Sequence, residues 1–396
     1  MSDDSIGLDP IRIAILTPSS LRVASGTEMV VLNLAKYLPH DKTEVTIVDT
    51  DTLSKGITFL SEEDVAEFLQ GRRRITIHDH HFGLTFLDEV SFLRPLSKLL
   101  IDPIVFSVIG RIFYRRLFDW LASLDAVILM SNSFAYSLPR RSEGKDALVI
   151  ATSQNLFGGF SRGWIKVMGL TPFSWLRRVD VLQTFRRVDK RLAELRHSPR
   201  IIVLPNGVDC SRFAAPKGVI AHKIRFVIAG RLISEKGVLK ALSAWKRMSN
   251  RSKSELHVVG AGPLDEMLKT EMDPNYFFHG PMPSASLAKV LQDSDVLLHL
   301  TSDYGDTFGL IVLEALACGN YCMVGTTLRG LYDDFVSRGH LEYVDPDNPS
   351  ALTARLEMIA ENPIQWQTRK DDRHKLVQEK YDWKEVALDY FEAIVQ

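Results

Sequence analysis

Short apolar runs alternate with helical segments at the start of the chain. Residues 11–17 (IRIAILT) form a nearly continuous apolar run of the kind that is buried in a parallel sheet, and residues 43–49 (TEVTIVD) form a second one. Between them, the apolar residues from Met29 to Leu38 recur at helical spacing. A strand, a loop, a helix and a strand in this order predict the opening of a doubly wound parallel domain of the Rossmann type.

The alternation continues along the chain and restarts near residue 224. In the first half, the pattern predicts a helix at 179–195 and strands at 73–78, 125–130, 146–152 and 201–204. Residues 224–230 (IRFVIAG) mirror the first strand. After them we predict strands at 255–260, 276–279 and 295–300 and helices at 236–250, 264–272 and 284–292. The fold class is therefore α/β, with two Rossmann-like, doubly wound domains facing each other across a cleft.

The boundary between the two domains is predicted in the stretch 209–222, which contains Pro216 and Gly218 and few large apolar residues. We place an N-terminal domain at 1–205 and a C-terminal domain at 206–379. Ligands of doubly wound domains bind at the carboxyl ends of the strands, so the cleft between the domains is the expected site.

The composition is that of a soluble globular protein, with 45% apolar and 24% charged residues among 396. The first ten residues are polar and acidic and predict no signal peptide, and three cysteines without metal-ligand spacing predict reduced thiols in the cytoplasm. The net charge of −1 is unevenly distributed, at −7 over residues 1–89, +10 over 90–200 and −4 over 201–396.

The most informative stretch is DYGDTFGLIVLEALACGN, at 303–320. Asp306 stands before a glycine turn, and Glu314 lies eight positions later in an apolar helical run. The free N–H groups and the dipole at such a helix start suit a phosphate, and one acid on each side can reach sugar hydroxyls. This layout fits a nucleotide sugar, although an ordinary capped helix with a buried face would share it.

A second junction of strand and helix carries two cations. Gly230-Arg231-Leu232 ends a strand, and Glu235-Lys236-Gly237 opens the next helix. Arg231 offers a bidentate fork and Lys236 a point charge, which together can neutralise a diphosphate without a metal. Two solvated surface cations are the alternative interpretation.

Three further signals are weaker. GAGP (260–263) and FHG (278–280) close two strands on glycines, where a nucleobase or phosphate can approach the backbone, but packed strand ends share this pattern. Asp306 and Glu314 also suggest a metal pair, yet no histidine or third carboxylate stands at ligand spacing, so we expect no metal.

Taken together, these motifs resemble family 4 of the retaining GT-B glycosyltransferases. The resemblance rests on PNGVD (205–209), GRLISEKG (230–237), GAGP, FHG and DTFGLIVLEALACG (306–319), and ASGTEMVVLNLA (24–35) resembles the glycine loop and first helix of that family. KYDWKEVALDYFEAI (380–394) resembles the family's C-terminal helix, which packs back on the first domain. The match is poor between about 55 and 180.

The resemblance implies a role for each matching residue. Arg231 and Lys236 would hold the donor diphosphate, Glu314 would bind the ribose, and Asp306 would bind hydroxyls of the transferred sugar. The donor would also meet the backbone at Gly26, Gly230, Gly280, Phe308, Gly309 and Leu310. The family implies an acceptor-binding first domain, a donor-binding second domain, retention of anomeric configuration and no cofactor beyond the nucleotide sugar.

The chain departs from the family pattern at two places. The first acid of the family is usually glutamate, and Asp306 is one methylene shorter, which concerns sugar specificity more than the reaction. The family also often places a histidine after a strand of the first domain, where this chain has Gln154. His78, His80 and His81 follow an earlier strand and are candidates for the acceptor side, or plain polar loop residues.

The basic middle of the chain alternates large apolar residues with cations over 91–120, and 156–178 adds aromatic and basic residues. Asp102 and Pro103 interrupt the apolar run before it reaches the length of a membrane span. Interfacial helices on an anionic membrane and core helices with solvated charges both fit. The first interpretation predicts a lipid or lipid-linked acceptor and a peripheral location on the cytoplasmic face. No nucleic-acid recognition motif accompanies the positive charge.

The sequence therefore predicts a retaining hexosyltransferase that uses a nucleotide diphosphate sugar. Two alternatives remain, a nucleotide-sugar epimerase of the same architecture and a catalytically silent partner subunit. An epimerase needs titrating groups near the sugar, and the missing histidine argues against it. Arg231, Lys236 and Glu314 argue against a silent subunit.

Overall fold

The computed structural model describes residues 9–17, 20–22, 26–50, 60–77, 115–130, 147–152, 179–185, 199–216, 223–302 and 306–396. These residues form two α/β units, each built on a parallel sheet. Within them, no helix is both long and apolar enough to cross a bilayer.

The first sheet has seven strands in the order β3-β2-β1-β4-β5-β6-β7. They are β1 (Ile11–Leu16), β2 (Thr43–Thr50), β3 (Arg73–Ile77), β4 (Ala126–Leu129), β5 (Leu148–Thr152), β6 (Val181–Thr184) and β7 (Arg200–Val203). Every pairing is parallel. The interior strand β1 is buried on both faces, with Ile13, Ile15 and Leu16 at most 1% exposed, as a continuous apolar run predicts.

Three described helices belong to this unit, α1 (Gly26–Tyr37), α2 (Glu62–Leu69) and α3 (Arg115–Ala122). Helix α1 follows β1 and buries Val30, Val31 and Leu34 in the same core as β1. Helix α2 begins with a capping box, in which the Ser61 hydroxyl accepts from the N–H of Asp64 and the Asp64 carboxylate accepts from the N–H of Ser61.

The second sheet has six strands in the order β10-β9-β8-β11-β12-β13, again all parallel. They are β8 (Ile224–Ala229), β9 (Ser254–Val259), β10 (Tyr276–Gly280), β11 (Val296–His299), β12 (Tyr321–Gly325) and β13 (Leu341–Val344). The strand order reverses between β8 and β11, where doubly wound domains place their ligands.

In the described part of the chain, nine α-helices follow β8. They are α4 (Val238–Lys246), α5 (Asp265–Lys269), α6 (Ser284–Asp293), α7 (Leu310–Ala317), α8 (Asp333–Ser337), α9 (Pro349–Glu361), α10 (Pro363–Gln367), α11 (Lys370–Tyr381) and α12 (Trp383–Val395) among the described residues. Helix α7 is apolar almost all round, because it is buried between the sheet and α11.

The ten strands predicted from the sequence are confirmed within two residues at each end. The helix predicted at 179–195 is wrong at its start, because residues 181–184 form β6. Val181 and Leu182 are at most 2% exposed, since β6 lies between β5 and β7 and is covered on both faces. A segment of four residues is too short to show a period of its own, and burial between two strands decides its conformation. Residues 186–198 lie outside the described residues.

Two passages of the chain connect the sheets, and they meet. Val208 donates its N–H to the Tyr381 carbonyl at 2.7 Å, and Trp383 donates its N–H to the Val208 carbonyl at 3.1 Å. A side chain at Gly207 would lie 2.6 Å from the Trp383 ring, so the glycine is required there. Trp383, Val386 and Tyr390 then bury one face of α12 in the core of the first sheet.

We expect the contacts of Trp383 to contribute strongly to stability. Trp383 is 2% exposed, and its replacement by alanine removes the ring that covers Gly207. Trp383→Ala should lower the free energy of unfolding by about 3–5 kcal/mol in urea denaturation. Leu388→Ala, on the same helix at a position that is 43% exposed, is the matched control and should change it by less than about 1 kcal/mol. Equal losses would show that α12 does not depend on this buried face.

Candidate active site at the junction of the two sheets

The carboxyl edge of the second sheet is built from glycine backbone. Gly280, Gly260 and Gly230 close the neighbouring strands β10, β9 and β8, and the N–H of Gly260 donates to the Gly280 carbonyl at 2.9 Å. A side chain at Gly260 would lie 1.8 Å from the Gly230 carbonyl oxygen, and its φ of +137° favours glycine. Gly230 itself is exposed at this edge, and no atom lies within 4 Å of the position that its Cβ would take.

The turn that begins α7 stands on the same edge, beyond β11. Gly309 precedes the helix with φ +75°, in the left-handed region. The buried Tyr332 donates its hydroxyl to the Phe308 carbonyl at 2.6 Å, and the Phe308 ring packs 4.8 Å from the ring of Phe185. These contacts fix the turn, so the N–H groups at the start of α7 have a defined direction.

Asp306 is the centre of a hydrogen-bonded cluster at this turn. Its Oδ2 lies 2.5 Å from Lys236 Nζ and 3.1 Å from His299 Nε2, and its Oδ1 accepts the N–H of Gly309 at 3.1 Å. The Lys236 and Asp306 side chains are 15% and 17% exposed, and His299 is 3% exposed. The cluster therefore joins three elements, the turn before α4, the end of β11 and the start of α7.

The cluster keeps Asp306 ionised and His299 neutral. Burial alone raises the pKa of Asp306, but the hydrogen bond from His299 and the charge of Lys236 outweigh it and hold this pKa well below its usual range. Burial is also the largest effect on His299, and it lowers the pKa of the imidazole despite the attraction of Asp306. Lys236 and Asp306 thus form a nearly neutral pair that is shielded from solvent.

Arg231 offers a second cation close by. It follows Gly230 in the chain, it is exposed, and among the described residues it forms no salt bridge. Lys236 is held differently, at the end of a short 3-10 turn (Ser234–Lys236) before Gly237. Gly237 has φ +70°, and a side chain there would lie 2.0 Å from the Leu300 carbonyl oxygen, so the turn must press against the end of β11.

Glu314 lies deeper, in a cavity between the two units. Residues from α1, α6, α7, α12 and the 207–213 segment line this cavity: Met29, Asn33, Gly207, Val208, Asp209, Arg212, Phe213, Ser284, Leu310, Glu314 and Trp383. Burial raises the pKa of Glu314 to about 7, against the opposing charge of Arg212. Glu314 and Asp306 belong to one motif, yet their surroundings shift the two pKa values in opposite directions.

The first unit reaches the site through the start of α1. Gly26 is the exposed first residue of that helix, and a Cβ there would lie 3.6 Å from the Leu310 side chain at the start of α7. The N-termini of α1 and α7 therefore stand side by side, one from each unit. Anions are favoured near helix N-termini, so both helix starts are placed to act on the same ligand.

The structure brings together most of the residues predicted for the site. Asp306, Lys236, Phe308, Gly309 and Leu310 lie in one turn region, with Gly230, Gly280 and Arg231 along the same sheet edge. The acceptor-side candidates His78, His80, His81 and Gln154 lie outside the described residues, as do residues 91–114 and 156–178. The described part of the basic segment is the start of α3, where Phe118 is buried in the core of the first sheet, as in the core-helix interpretation.

Four contributing residues were not predicted from the sequence. His299 and Tyr332 fix Asp306 and its turn, and Arg212 and Asn33 line the cavity at Glu314. A lone histidine in the apolar run VLLHL was the only signal for His299. Among the described residues, no group of three or more metal-ligating side chains is placed to hold a metal ion.

Comparison with known sequences finds matches for the second unit. Residues 213–383 match the family described as Glycosyl transferases group 1. An uncharacterized glycosyltransferase of Methanocaldococcus jannaschii is 25% identical over 180 residues, 43% of this chain and 45% of that protein. The D-inositol 3-phosphate glycosyltransferase of an Arthrobacter species is 34% identical over 155 residues, 34% of this chain and 36% of that protein. The matches thus span less than half of either relative.

Comparison with solved structures covers nearly the whole chain. Sucrose-phosphate synthase from Thermosynechococcus elongatus matches with a TM-score of 0.71 at 16% identity, covering 97% of this chain and 98% of that one. Anabaena HepE in complex with UDP and glucose matches with a TM-score of 0.68 at 13% identity, covering 97% and 99%. At this identity the likeness concerns the fold, and the predicted GT-B fold of two parallel-sheet α/β domains is confirmed.

The raised pKa of Glu314 predicts a pH dependence of stability. The unfolded chain ionises this carboxyl near pH 4.5, whereas the folded protein holds the proton until about pH 7. The folded state therefore loses stability across this window as the pH rises. Relative to Glu314→Gln, wild type should lose about 1–3 kcal/mol of unfolding free energy between about pH 5 and about pH 8.

Urea denaturation at the two pH values measures this difference. Glu379→Gln replaces an exposed carboxylate on α11 and is the control for removal of one negative charge. Stability curves of wild type and Glu314→Gln that stay parallel between the two pH values would refute a protonated Glu314 in the folded protein.

Proposed function

Because residues 213–383 form a glycosyl transferases group 1 domain, we propose that the protein transfers a sugar from a nucleotide diphosphate sugar to an acceptor hydroxyl. The observation that carries this proposal is the convergence of Lys236, Asp306 and the start of α7 on the carboxyl edge of the second sheet. Cations and free backbone N–H groups suit a diphosphate, and a fixed carboxylate suits the hydroxyls of a sugar.

The proposed roles follow from these positions. Arg231 and Lys236 neutralise the diphosphate and stabilise the charge that develops on it as the bond to the sugar breaks. The turn at Phe308-Gly309-Leu310 meets a phosphate from the other side, while the N–H of Gly309 itself donates to Asp306. Glu314 binds the ribose within the cavity, and the start of α1 at Gly26 completes the site from the other unit.

Several finer parts of the proposal rest on other support. Retention of anomeric configuration and a hexose donor follow from the resemblance to family 4. A nucleotide sugar as donor also agrees with the structural neighbour HepE, which has been solved with UDP-glucose. Two protein cations at the diphosphate support a reaction that needs no metal and no cofactor.

The acceptor part of the proposal rests on composition alone. A lipid or lipid-linked saccharide as acceptor, and a peripheral position on the cytoplasmic face of a membrane, are supported by the alternation of cations and large apolar residues over 91–120 and 156–178. No observation favours the epimerase or the silent partner subunit.

Binding of the donor is the first test of this proposal. In a thermal-shift panel of UDP-, GDP- and ADP-sugars, the bound one should raise the unfolding midpoint, because saturation at a hundred times Kd adds about 2.7 kcal/mol. The shift should persist in EDTA. Absence of a shift with every nucleotide sugar would refute the donor site, and a shift abolished by EDTA would refute the metal-free diphosphate site.

Turnover tests the assignment of Lys236 and Glu314. Lys236→Ala and Glu314→Ala should each lower kcat/KM about a hundredfold or more, the scale of one lost charge-stabilising contact. Lys240→Ala is the matched control, because Lys240 lies four residues after Lys236, in the first turn of α4, and pairs with Asp347 at the surface. Wild-type turnover in either site variant would place the active site elsewhere.

A further inference from the structure

The histidine at the end of β11 stands where its neighbours are aliphatic. Leu298 and Leu300 flank His299, and all three are at most 3% exposed. An aliphatic side chain would fill this place without the desolvation cost of a polar ring. The imidazole is directed at Asp306, with Nε2 3.1 Å from Oδ2. Because a carboxylate only accepts, Nε2 carries the hydrogen, and the ring donates as a neutral imidazole.

The acceptor sites of Asp306 are nearly all occupied in the free protein. Oδ2 accepts from Lys236 and from His299, and Oδ1 accepts from the N–H of Gly309. An ionised carboxylate has about four such sites, so about one remains. The free protein therefore offers a sugar little of this carboxylate.

The proposed function requires the Lys236 ammonium group to bind the donor diphosphate, whereas in the free protein it binds Asp306. A diphosphate competes with one carboxylate for the ammonium group and carries more negative charge than it. Once Lys236 turns to the diphosphate, Asp306 loses its cation while a second anion comes close. Without another donor on Oδ2, the carboxylate would take up a proton or turn away.

We propose that His299 is a positioning residue, which holds Asp306 ionised and in place while Lys236 passes from Asp306 to the donor diphosphate. The site that Lys236 vacates on Oδ2 is then taken by a hydroxyl of the transferred sugar. The imidazole Nε2–H of His299 and the backbone N–H of Gly309 keep their hydrogen bonds to the Asp306 carboxylate throughout. This inference rests on the proposed function and adds the order in which the contacts change.

The exchange favours a complete donor over its nucleoside diphosphate. When a nucleotide sugar binds, its diphosphate draws the Lys236 ammonium away from Asp306 Oδ2, and a sugar hydroxyl takes its place as hydrogen-bond donor. A nucleoside diphosphate also draws the ammonium away but has no sugar hydroxyl to replace it. His299 therefore acts mainly after the donor has bound. Loss of the imidazole should affect the donor complex more than the free protein, because in the free protein Lys236 still bonds Asp306 and keeps it ionised.

Three variants at this position separate the N–H donor from the shape of the ring. His299→Gln places an amide nitrogen near the position of Nε2, whereas His299→Asn is polar as well but too short to reach Asp306. His299→Leu matches the aliphatic neighbours and removes the donor. Steady-state kinetics over pH with the nucleotide sugar from the thermal-shift panel give kcat, which reports the bound complex, and kcat/KM, which reports the free protein.

We expect His299→Asn and His299→Leu to lose about tenfold to a hundredfold in kcat, the range of a lost hydrogen bond to a charged group. The acid limb of kcat should move to higher pH, because the hydrogen bond from His299 lowers the pKa of Asp306 and its removal raises that pKa. The acid limb of kcat/KM should move less. His299→Gln should stay within about threefold of wild type in kcat and keep its pH profile.

Other outcomes overturn the proposal. Wild-type kcat and an unmoved acid limb in His299→Asn would show that Asp306 does not need the imidazole. Equal losses in His299→Gln and His299→Asn would show that shape, and not the N–H donor, is what matters. The Gln and Asn variants keep a polar side chain in the same strand, so their comparison stands even if the leucine variant does not fold. A wild type that neither binds nor turns over any nucleotide sugar would refute the proposed function itself, and the inference with it.

Discussion

The short parallel bridge between the two chain passages determines how the two units meet. Val208 accepts and donates backbone hydrogen bonds to the chain on either side of Asp382, at the point where α11 gives way to α12. From this bridge, Trp383 and the rest of α12 enter the first unit, while α11 remains packed on α7 in the second. The starts of α1 and α7 therefore face each other, although they lie almost 300 residues apart in the chain. A site that needs both helix ends therefore depends on this bridge, whose residues Gly207, Val208 and Trp383 also line the cavity at Glu314.

Charge at the site is balanced within the protein before any ligand arrives. Lys236 and Asp306 compensate each other, and Glu314, whose pKa is raised to about 7 by burial, is partly protonated at neutral pH. Among the described residues, this leaves Arg231 as the cation at the edge without an ion-pair partner. A buried pair is costly unless both members are hydrogen-bonded, and here His299 and Gly309 supply the additional bonds. The Lys236–Asp306 pair is therefore satisfied in the free protein, and the diphosphate of the proposed donor would have to compete with Asp306 for Lys236.

The sequence predicted those features that follow from local order. The ten predicted strands were placed within two residues, because buried parallel strands read as continuous apolar runs between turns. The start of the predicted helix at 179–195 was wrong, because four residues carry too little periodicity to separate a strand from a helix. Lys236, Asp306 and the turn before α7 were identified by their places at strand–helix junctions.

What the sequence did not reveal are contacts made between distant parts of the chain. The Lys236–Asp306 pair joins residues 70 positions apart, and Tyr332 reaches back 24 positions to hold Phe308. His299 is a single polar residue in an apolar strand, a pattern that usually marks a satisfied core histidine. His299 has a hydrogen-bond partner because Asp306 lies just beyond the end of β11, and this is visible in the folded structure alone. The residues proposed to bind the donor can thus be selected from motifs, whereas the residues that hold them in place become visible once the sheet edge is assembled.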